Sequence, residues 1–402
     1  MRYLGLQVIF WICICAVVYN YIGYPFMLFV LSTLSQARSD LRFLLGEKRR
    51  RCSQPEEFLP RVALLMSAYN EEAAIQTKVR NSLELDYPQD RLEILIGLDA
   101  PSDSTAQLLD AMQDDRVQVT HFSERQGKVM VLSALAQKTS AEVLVITDAD
   151  AILEKNCVRN LARHFMDSRV GAVSGEAVRV VAENADPAAE PLYWKYESAL
   201  RFLENRLNCT MGAVGCVLAV RNSLFRQSRP SIVEDLQIPL EIRFQGHRVV
   251  YDPEAVATEG IAPTLSAQFA RRVRVGTGNF QTLFRNLGCL HPRNGLLAFS
   301  FFSHRVLRWL APILLGIALL CSILLVRRAD FAALFVAQIA FYSAALLGYW
   351  RKSRGKSAWL FSVPFHFCLM NLALFLGLFR YLIGSQSLTW TSPPRPMQRE
   401  VG

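Results

Sequence analysis

Between residues 3 and 37 the sequence has no Asp, Glu, Lys, Arg or His. Charge is missing again from 309–326, 331–350 and 357–379, the last with His366 as its one basic group. Each run is close to the about 20 apolar residues that a helix needs to cross a bilayer, which excludes a wholly soluble protein. None of the nine Cys forms a Cys-x-x-Cys pair, and Cys13, Cys15, Cys321 and Cys368 lie inside apolar runs. Such cysteines read as small apolar side chains in a reducing compartment, not as a zinc site or disulfide set. There is no internal repeat and no Gly-rich phosphate loop, because Gly276-Thr277-Gly278 has no strand before it. The 21 Gly and 17 Pro follow no period, which excludes a collagen-like chain. With 24 Phe and 20% charged residues, the chain is not mainly disordered either.

The charge that is present is unevenly placed. Of the net +9, much sits beside the apolar runs: Arg38, Arg42, Lys48, Arg49, Arg50 and Arg51 after the first, Arg305 and Arg308 before the second. Arg351, Lys352, Arg354 and Lys356 separate the third from the fourth. Nucleic-acid binding would want such residues on one face of a soluble module, so no nucleic-acid partner is expected. Basic clusters flanking spans are instead the positive-inside pattern. It places the middle of the chain and the 351–356 loop inside, with both termini outside and Arg327 and Arg328 as an outer-side exception. Ser35-Gln36-Ala37 resembles a signal-peptide cleavage site. The apolar run before it is far longer than the about 7–15 residues of a signal core, so it reads as a retained span.

A soluble region of ordinary composition lies between about 38 and 285. Three short apolar runs, 62–66, 92–98 and 143–147, end respectively at Ser67, Asp99 and Asp148. Segments 75–85, 104–112 and 128–137 between them have helical spacing. Buried strands alternating with helices predict an α/β domain with a mostly parallel, Rossmann-like sheet. Ligands of such sheets bind beyond the carboxyl ends of the strands, where these polar residues stand. Farther on, 191–208 reads as an amphipathic helix, 212–220 as a loop feeding a strand, and 300–309 as a segment along the membrane interface.

Thr147-Asp148-Ala149-Asp150 is the sharpest local feature. Two carboxylates two residues apart after a buried strand can converge on Mg2+ or Mn2+ and its bound phosphates. Asp99 precedes a turn and can face a ligand, whereas Asp103 suits a cap for the next helix. Lys128, after Gln126-Gly127, places a cation at a helix start, where a diphosphate can be met. Glu234 and Asp235 fit either as complements of a helix dipole or, for Asp235, as a general base. Arg271, Arg272 and Arg274 fit either as membrane-side charge or as partners of a leaving diphosphate.

Together these residues resemble a membrane-embedded family 2 glycosyltransferase, the group that includes exopolysaccharide, poly-N-acetylglucosamine, cellulose and hyaluronan synthases. The resemblance runs over about 59–310. Ser67-Ala68-Tyr69-Asn70-Glu71-Glu72 resembles the family's opening Pro-x-Tyr-Asn-Glu-Glu, with Ser67 in place of Pro. The resemblance implies nucleotide-sugar contacts from Tyr69, Asn70, Glu72, Asp99, Lys128 and Asp148, with a metal on Asp150. Gly215, in the segment from Gly212 through Arg221, resembles the acceptor-side loop. Glu234-Asp235 matches the Thr-Glu-Asp motif with Val233 first, which implies that Asp235 is the catalytic base. Gln268-Phe269-Ala270-Arg271-Arg272 resembles the Gln-x-x-Arg-Trp of processive members but has Arg272 where Trp would stand, and Arg274 follows in an alternative register.

The resemblance implies a GT-A catalytic domain, cytoplasmic and flanked by transmembrane α-helices, that inverts configuration while moving a sugar from a nucleotide donor, UDP first. The acceptor is a glycan or lipid-linked sugar at the inner face of a bacterial inner (cell) membrane. The expected order is a span at 1–37, the GT-A domain at 38–285, an interfacial segment at 286–308, three spans at 309–385 and a polar tail at 386–402. Four spans make a narrow bundle, so translocation of a product would require a homo-oligomer or an export partner. Two rivals are a single-addition transferase acting on a polyprenyl phosphate or lipid, and a transporter that senses nucleotide sugars. Against the transporter, the later spans hold only His366, where transport pathways place buried charges.

Overall fold

The computed structural model describes residues 3–45, 58–112, 114–180, 189–226, 231–260, 264–354 and 359–385. The described residues fall into two units, one within 36–182 and 205–268, the other within 1–35, 183–204 and 269–386.

In the first unit the three apolar runs become neighbouring strands. They are β1 (Val62–Ala68), β2 (Leu92–Asp99) and, after the edge strand β3 (Val117–Phe122), β4 (Val143–Asp148). Then come β5 (Ile152–Leu153), β6 (Val170–Val180), β7 (Leu218–Arg221) and β8 (Arg248–Gly260), and all eight form one sheet in the order β3-β2-β1-β4-β7-β6-β8-β5. Runs that are apolar at every position are buried on both faces, and β1 shows it. Val62, Leu64 and Met66 join one core, while Ala63 and Leu65 join the other. The first core takes in Ile75 and Val79 from helix Ile75–Leu83 and Val158 and Leu161 from helix Cys157–Ala162. The second is closed by Val131 and Leu135 of helix Lys128–Ala136 and by Ile238 and Ile242 of helix Glu234–Phe244.

The expected parallel pairing holds for β3-β2-β1-β4 and for β6 with β8. It does not extend to the whole sheet, which is mixed: β7 runs antiparallel to both β4 and β6, and β5 antiparallel to β8. The chain leaves β6 and re-enters β7 at the same end of the sheet, and that return reverses the strand. Because β2 lies on one side of β1 and β4 on the other, strand order switches at β1, where a doubly wound sheet opens its crevice. The register puts Ser67 level with Gly97 on one side and Asp148 on the other, so Asp99 and Asp148 flank the carboxyl end of β1.

The second unit is helical. Among the described residues, four helical segments are long and apolar enough to cross a membrane: Leu4–Leu44, Leu296–Leu324, Ala329–Lys352 and Leu360–Leu382. Large apolar side chains face outward from them, Leu346 at 70% exposure among them, and only an apolar solvent suits such faces. The expected interfacial stretch 300–309 is continuous with the second span, passing through a π-helical Phe301–Val306. Helix Leu265–Arg285 explains the Gly276-Thr277-Gly278 sequence, which is a packing face. A Cβ on Gly377 of helix Trp359–Leu382 would lie 2.7 Å from the Gly276 carbonyl carbon, so the two backbones nearly touch.

A buried polar cluster ties this unit together, and no local sequence signal announced it. Tyr24 Oη donates to Glu204 Oε1 at 2.8 Å and lies 2.7 Å from Ser300 Oγ. His304 Nδ1 lies 2.6 Å from the same Glu204 oxygen, and its Nε2 lies 3.5 Å from Glu197 Oε2. Arg308 pairs with Glu197, and Tyr19 of the π-helical Tyr19–Gly23 meets Ser303 at 2.9 Å. Burial pushes the Glu197 carboxyl up, but Arg308 and His304 outweigh it and hold it well below the usual carboxylate range. Removing one partner of a buried ion pair strands the other. Glu197→Leu should therefore cost about 3–5 kcal/mol, seen as a lower apparent Tm for the detergent-solubilised protein by tryptophan fluorescence. An unchanged Tm would show that the pair is dispensable.

Candidate functional site

The site is built where β1, β2 and β4 end. Asp99, the last residue of β2, is buried and spends both oxygens on the loop that follows β3. Gln126 N–H donates to Oδ1 at 2.6 Å and Gly127 N–H to Oδ2 at 3.1 Å. Gly127 has φ +84°, which only glycine adopts without strain, and it starts the helix whose first residue is Lys128. Asp99 thus sets where Lys128 begins. The Arg125 guanidinium lies 3.4 Å over the Tyr69 ring, with its Nε 3.8 Å from Asp99. Arg125 was not among the sequence candidates; its place immediately before Gln126-Gly127-Lys128 was the available signal.

Lys128 is the centre of the arrangement. Its Nζ lies 2.5 Å from Asp148 Oδ1 and 2.5 Å from Glu234 Oε1. Burial pulls the ammonium's pKa down, and the two carboxylates more than reverse this and raise it. Lys128 and Asp148 are each 27% exposed, so both can still meet a ligand. Asp150, buried at 7% exposure, stands on the turn two residues past Asp148. Asp235 follows Glu234 in the first turn of helix Glu234–Phe244, and its carbonyl accepts from Ala213 N–H at 2.7 Å. That bond brings the 212–217 segment against the helix start, and a Cβ on Gly215 would lie 3.6 Å from Asp235 Oδ2. Lys128, Asp148, Glu234, Asp235 and Gly215 thereby come together from four separate stretches of chain.

Asn70 and Glu72 hold hydrogen bonds within the protein. Asn70 Oδ1 accepts from Ser102 N–H at 2.8 Å and Glu72 Oε2 from Ser104 N–H at 3.1 Å. Asp103 does not cap a helix alone: its Oδ2 accepts from Glu72 N–H at 3.2 Å and its Oδ1 from Thr105 N–H at 3.0 Å. These residues brace the loops after β1 and β2 against each other. Gln268 lies on helix Leu265–Arg285. Arg271, Arg272 and Arg274 belong to the helical unit, where Arg272 lies against Met370.

Sequence reasoning also missed Lys78. It lies on helix Ile75–Leu83 at a position that faces the core, between Ile75 and Ser82, and is fully buried. Burial draws its ammonium down to about 8, against the weaker opposing pull of Cys216, Cys157 and Asp148. A lysine on the apolar face of an amphipathic helix was the signal that could have found it.

The donor set of the acidic turn suits Mg2+ or Mn2+. It offers two carboxylates, both hard oxygen ligands, and these ions bind through one or two carboxylates with the rest of the shell from phosphate and water. Among the described residues no group of three or more His, Cys, Asp or Glu is placed to hold a metal ion.

Residues 63–227 match the family model described as Glycosyl transferase family 2. The poly-beta-1,6-N-acetyl-D-glucosamine synthase of Staphylococcus epidermidis is 22% identical over 236 residues, 56% of this chain and 56% of the relative. The beta-monoglucosyldiacylglycerol synthase of Trichormus variabilis is 28% identical over 236 residues, 56% of this chain and 50% of the relative. The chain spans about half the length of these curated relatives. Among solved structures, the mannosyltransferase PcManGT from Pyrobaculum calidifontis, in complex with GDP-Man and Mn2+, superposes with a TM-score of 0.70 at 20% identity. That match covers 94% of this chain and 100% of the other, a likeness of fold that takes in the GT-A sheet.

The geometry around Lys128 makes a direct prediction. Without the ammonium, Asp148 and Glu234 are left as like charges with their shared partner removed. Lys128→Met should weaken UDP binding in the presence of Mg2+ by about tenfold to a hundredfold, measured by calorimetry. Equal affinity in variant and wild type would remove Lys128 from the site.

Proposed function

We propose, from the premise that this chain carries a family 2 glycosyltransferase domain, that it moves a sugar from UDP to a glycan or lipid-linked acceptor with inversion at the sugar carbon. The observation that carries this reading is Lys128, which holds an acid of the donor turn, Asp148, and an acid of the base motif, Glu234, in one site. A donor-binding pole and a proton-accepting pole are what a direct displacement needs side by side.

In this reading the donor diphosphate lies over the start of helix Lys128–Ala136, where free N–H groups and the Lys128 ammonium meet its charge. Asp150 with Asp148 would hold Mg2+ or Mn2+, which when bound neutralises the diphosphate as it leaves. Arg125, stacked on Tyr69 beside Asp99, would border the nucleobase of the donor. Asp235 accepts the proton of the acceptor hydroxyl, and Gly215 leaves the space beside that carboxylate open. The acceptor oxygen bonds to the sugar carbon as the carbon–oxygen bond to the diphosphate breaks, and UDP departs. The four apolar helices fit a membrane protein, and we place the catalytic unit on the cytoplasmic side, where nucleotide sugars and the basic 351–356 loop belong.

A second reading, addition of a single sugar to a lipid acceptor, is favoured by Arg272. It stands where processive members have a Trp that stacks on the growing chain. The similarity to a glycolipid synthase supports the same reading. Sizing the product made from UDP-sugars by the purified protein separates the two, a long polymer ruling out single addition.

The division of labour between the poles has two consequences. Asp235→Asn should leave UDP affinity in Mn2+ nearly unchanged while turnover falls by roughly 10²–10⁴; a turnover close to wild type would reduce Asp235 to a helix-dipole partner. Asp150→Asn should abolish transfer and remove the Mn2+ dependence of UDP binding, with the folded protein intact by circular dichroism. Full activity of the wild type in excess EDTA would sink the metal assignment.

A further inference from the structure

Among the described residues, Lys78 is the one fully buried lysine, and the mechanism above does not use its charge. Its Nζ donates to Thr147 Oγ1 at 3.0 Å and to the Ala151 carbonyl at 2.5 Å. Thr147 is the residue immediately before Asp148, and Ala151 is the residue immediately after Asp150. One ammonium therefore grips both ends of the Asp148-Ala149-Asp150 turn from beneath. No carboxylate among the described residues lies within ion-pair distance of it, although burying an unpaired ammonium is costly. A Met or Leu at this position would satisfy the apolar face of helix Ile75–Leu83 without that cost. Core packing alone thus does not account for the residue.

The acids of the turn have the opposite need. A cation shared with a diphosphate requires carboxylate oxygens fixed before the ligand arrives, because a turn that must be ordered on binding loses affinity. Lys78 supplies that order from inside the core, on the side of the turn away from Lys128.

We propose that Lys78 is a positioning residue that presets the Asp148–Asp150 turn for a divalent cation and the donor diphosphate. The proposal rests on the glycosyltransferase reading of the same site. Its signature is specific: loss of Lys78 impairs metal-dependent nucleotide binding and spares metal-free nucleotide binding.

The experiment titrates Mn2+ into detergent-solubilised full-length protein with UDP present, followed by Mn2+ electron paramagnetic resonance, alongside UDP calorimetry in EDTA and a thermal melt. Lys78→Met should weaken Mn2+ by about tenfold or more and leave UDP affinity in EDTA at the wild-type value. Thr147→Val, which deletes one of the two contacts with little change of shape, should weaken Mn2+ in the same direction by less. Thr147→Ser, which restores the hydroxyl, should recover it. If Lys78→Met does not fold, the Thr147 pair decides alone. Wild-type Mn2+ affinity in a folded Lys78→Met, or equal affinities in Thr147→Val and Thr147→Ser, overturns the proposal and leaves the glycosyltransferase reading standing. A wild-type protein that binds no UDP even with Mn2+ overturns that reading first.

Discussion

One ammonium group reconciles the charges of the catalytic unit. Asp148 and Glu234 reach the site from different halves of the sheet, and each lies 2.5 Å from Lys128 Nζ. The position of that nitrogen is itself inherited. Asp99 at the end of β2 accepts the amides of Gln126 and Gly127, and Gly127 turns the chain into the helix that Lys128 begins. A carboxylate that looks available for a ligand is thus first a structural acceptor that fixes a cation, which in turn fixes two further carboxylates. The parallel half of the sheet provides Asp99 and Asp148, and the helix packed on its other half provides Glu234.

The rim around this centre is assembled in advance. Asn70 and Glu72 after β1 and Asp103 after β2 exchange hydrogen bonds across the two loops. Loops tied to one another lose less freedom on meeting a ligand, which favours discrimination by shape over folding on binding. Asn70 adopts φ +53°, and three hydrogen bonds with Ser102 hold it there.

Much of this was legible in the sequence because of how strands are buried. β1, β2 and β4 are covered on both faces, so they appear as unbroken apolar runs, and the acids at their ends mark the site. The edge strand β3 alternates half-buried with exposed positions and left no such run. β6 and β8 were hidden by two irregularities of register, one beside Gly175, which break the period. Asp148, Glu234 and Lys128 were found individually, but their convergence was not, since nothing local links Glu234 to Lys128. Asn70 and Glu72 belong to a motif that suggests ligand contact, and their bracing role depends on backbone amides that a sequence does not display. The buried cluster of Glu197, Glu204, His304 and Arg308 joins residues 100 and 111 positions apart, beyond the reach of any periodicity.

That cluster also bears on how the protein is made. Its two acids leave the ribosome about a hundred residues ahead of His304 and Arg308, the side chains that partner them. Arg308 arrives on Leu296–Leu324, an apolar segment in which a charge without a partner is costly. Lodging of that segment in the membrane and docking of helix Ala189–Arg206 against it are therefore mutually dependent, each removing the other's uncompensated charge. An apolar segment that looks self-sufficient by hydropathy is, for the biosynthetic machinery, a joint delivery with a polar helix made earlier, which must be kept competent until the later segment emerges.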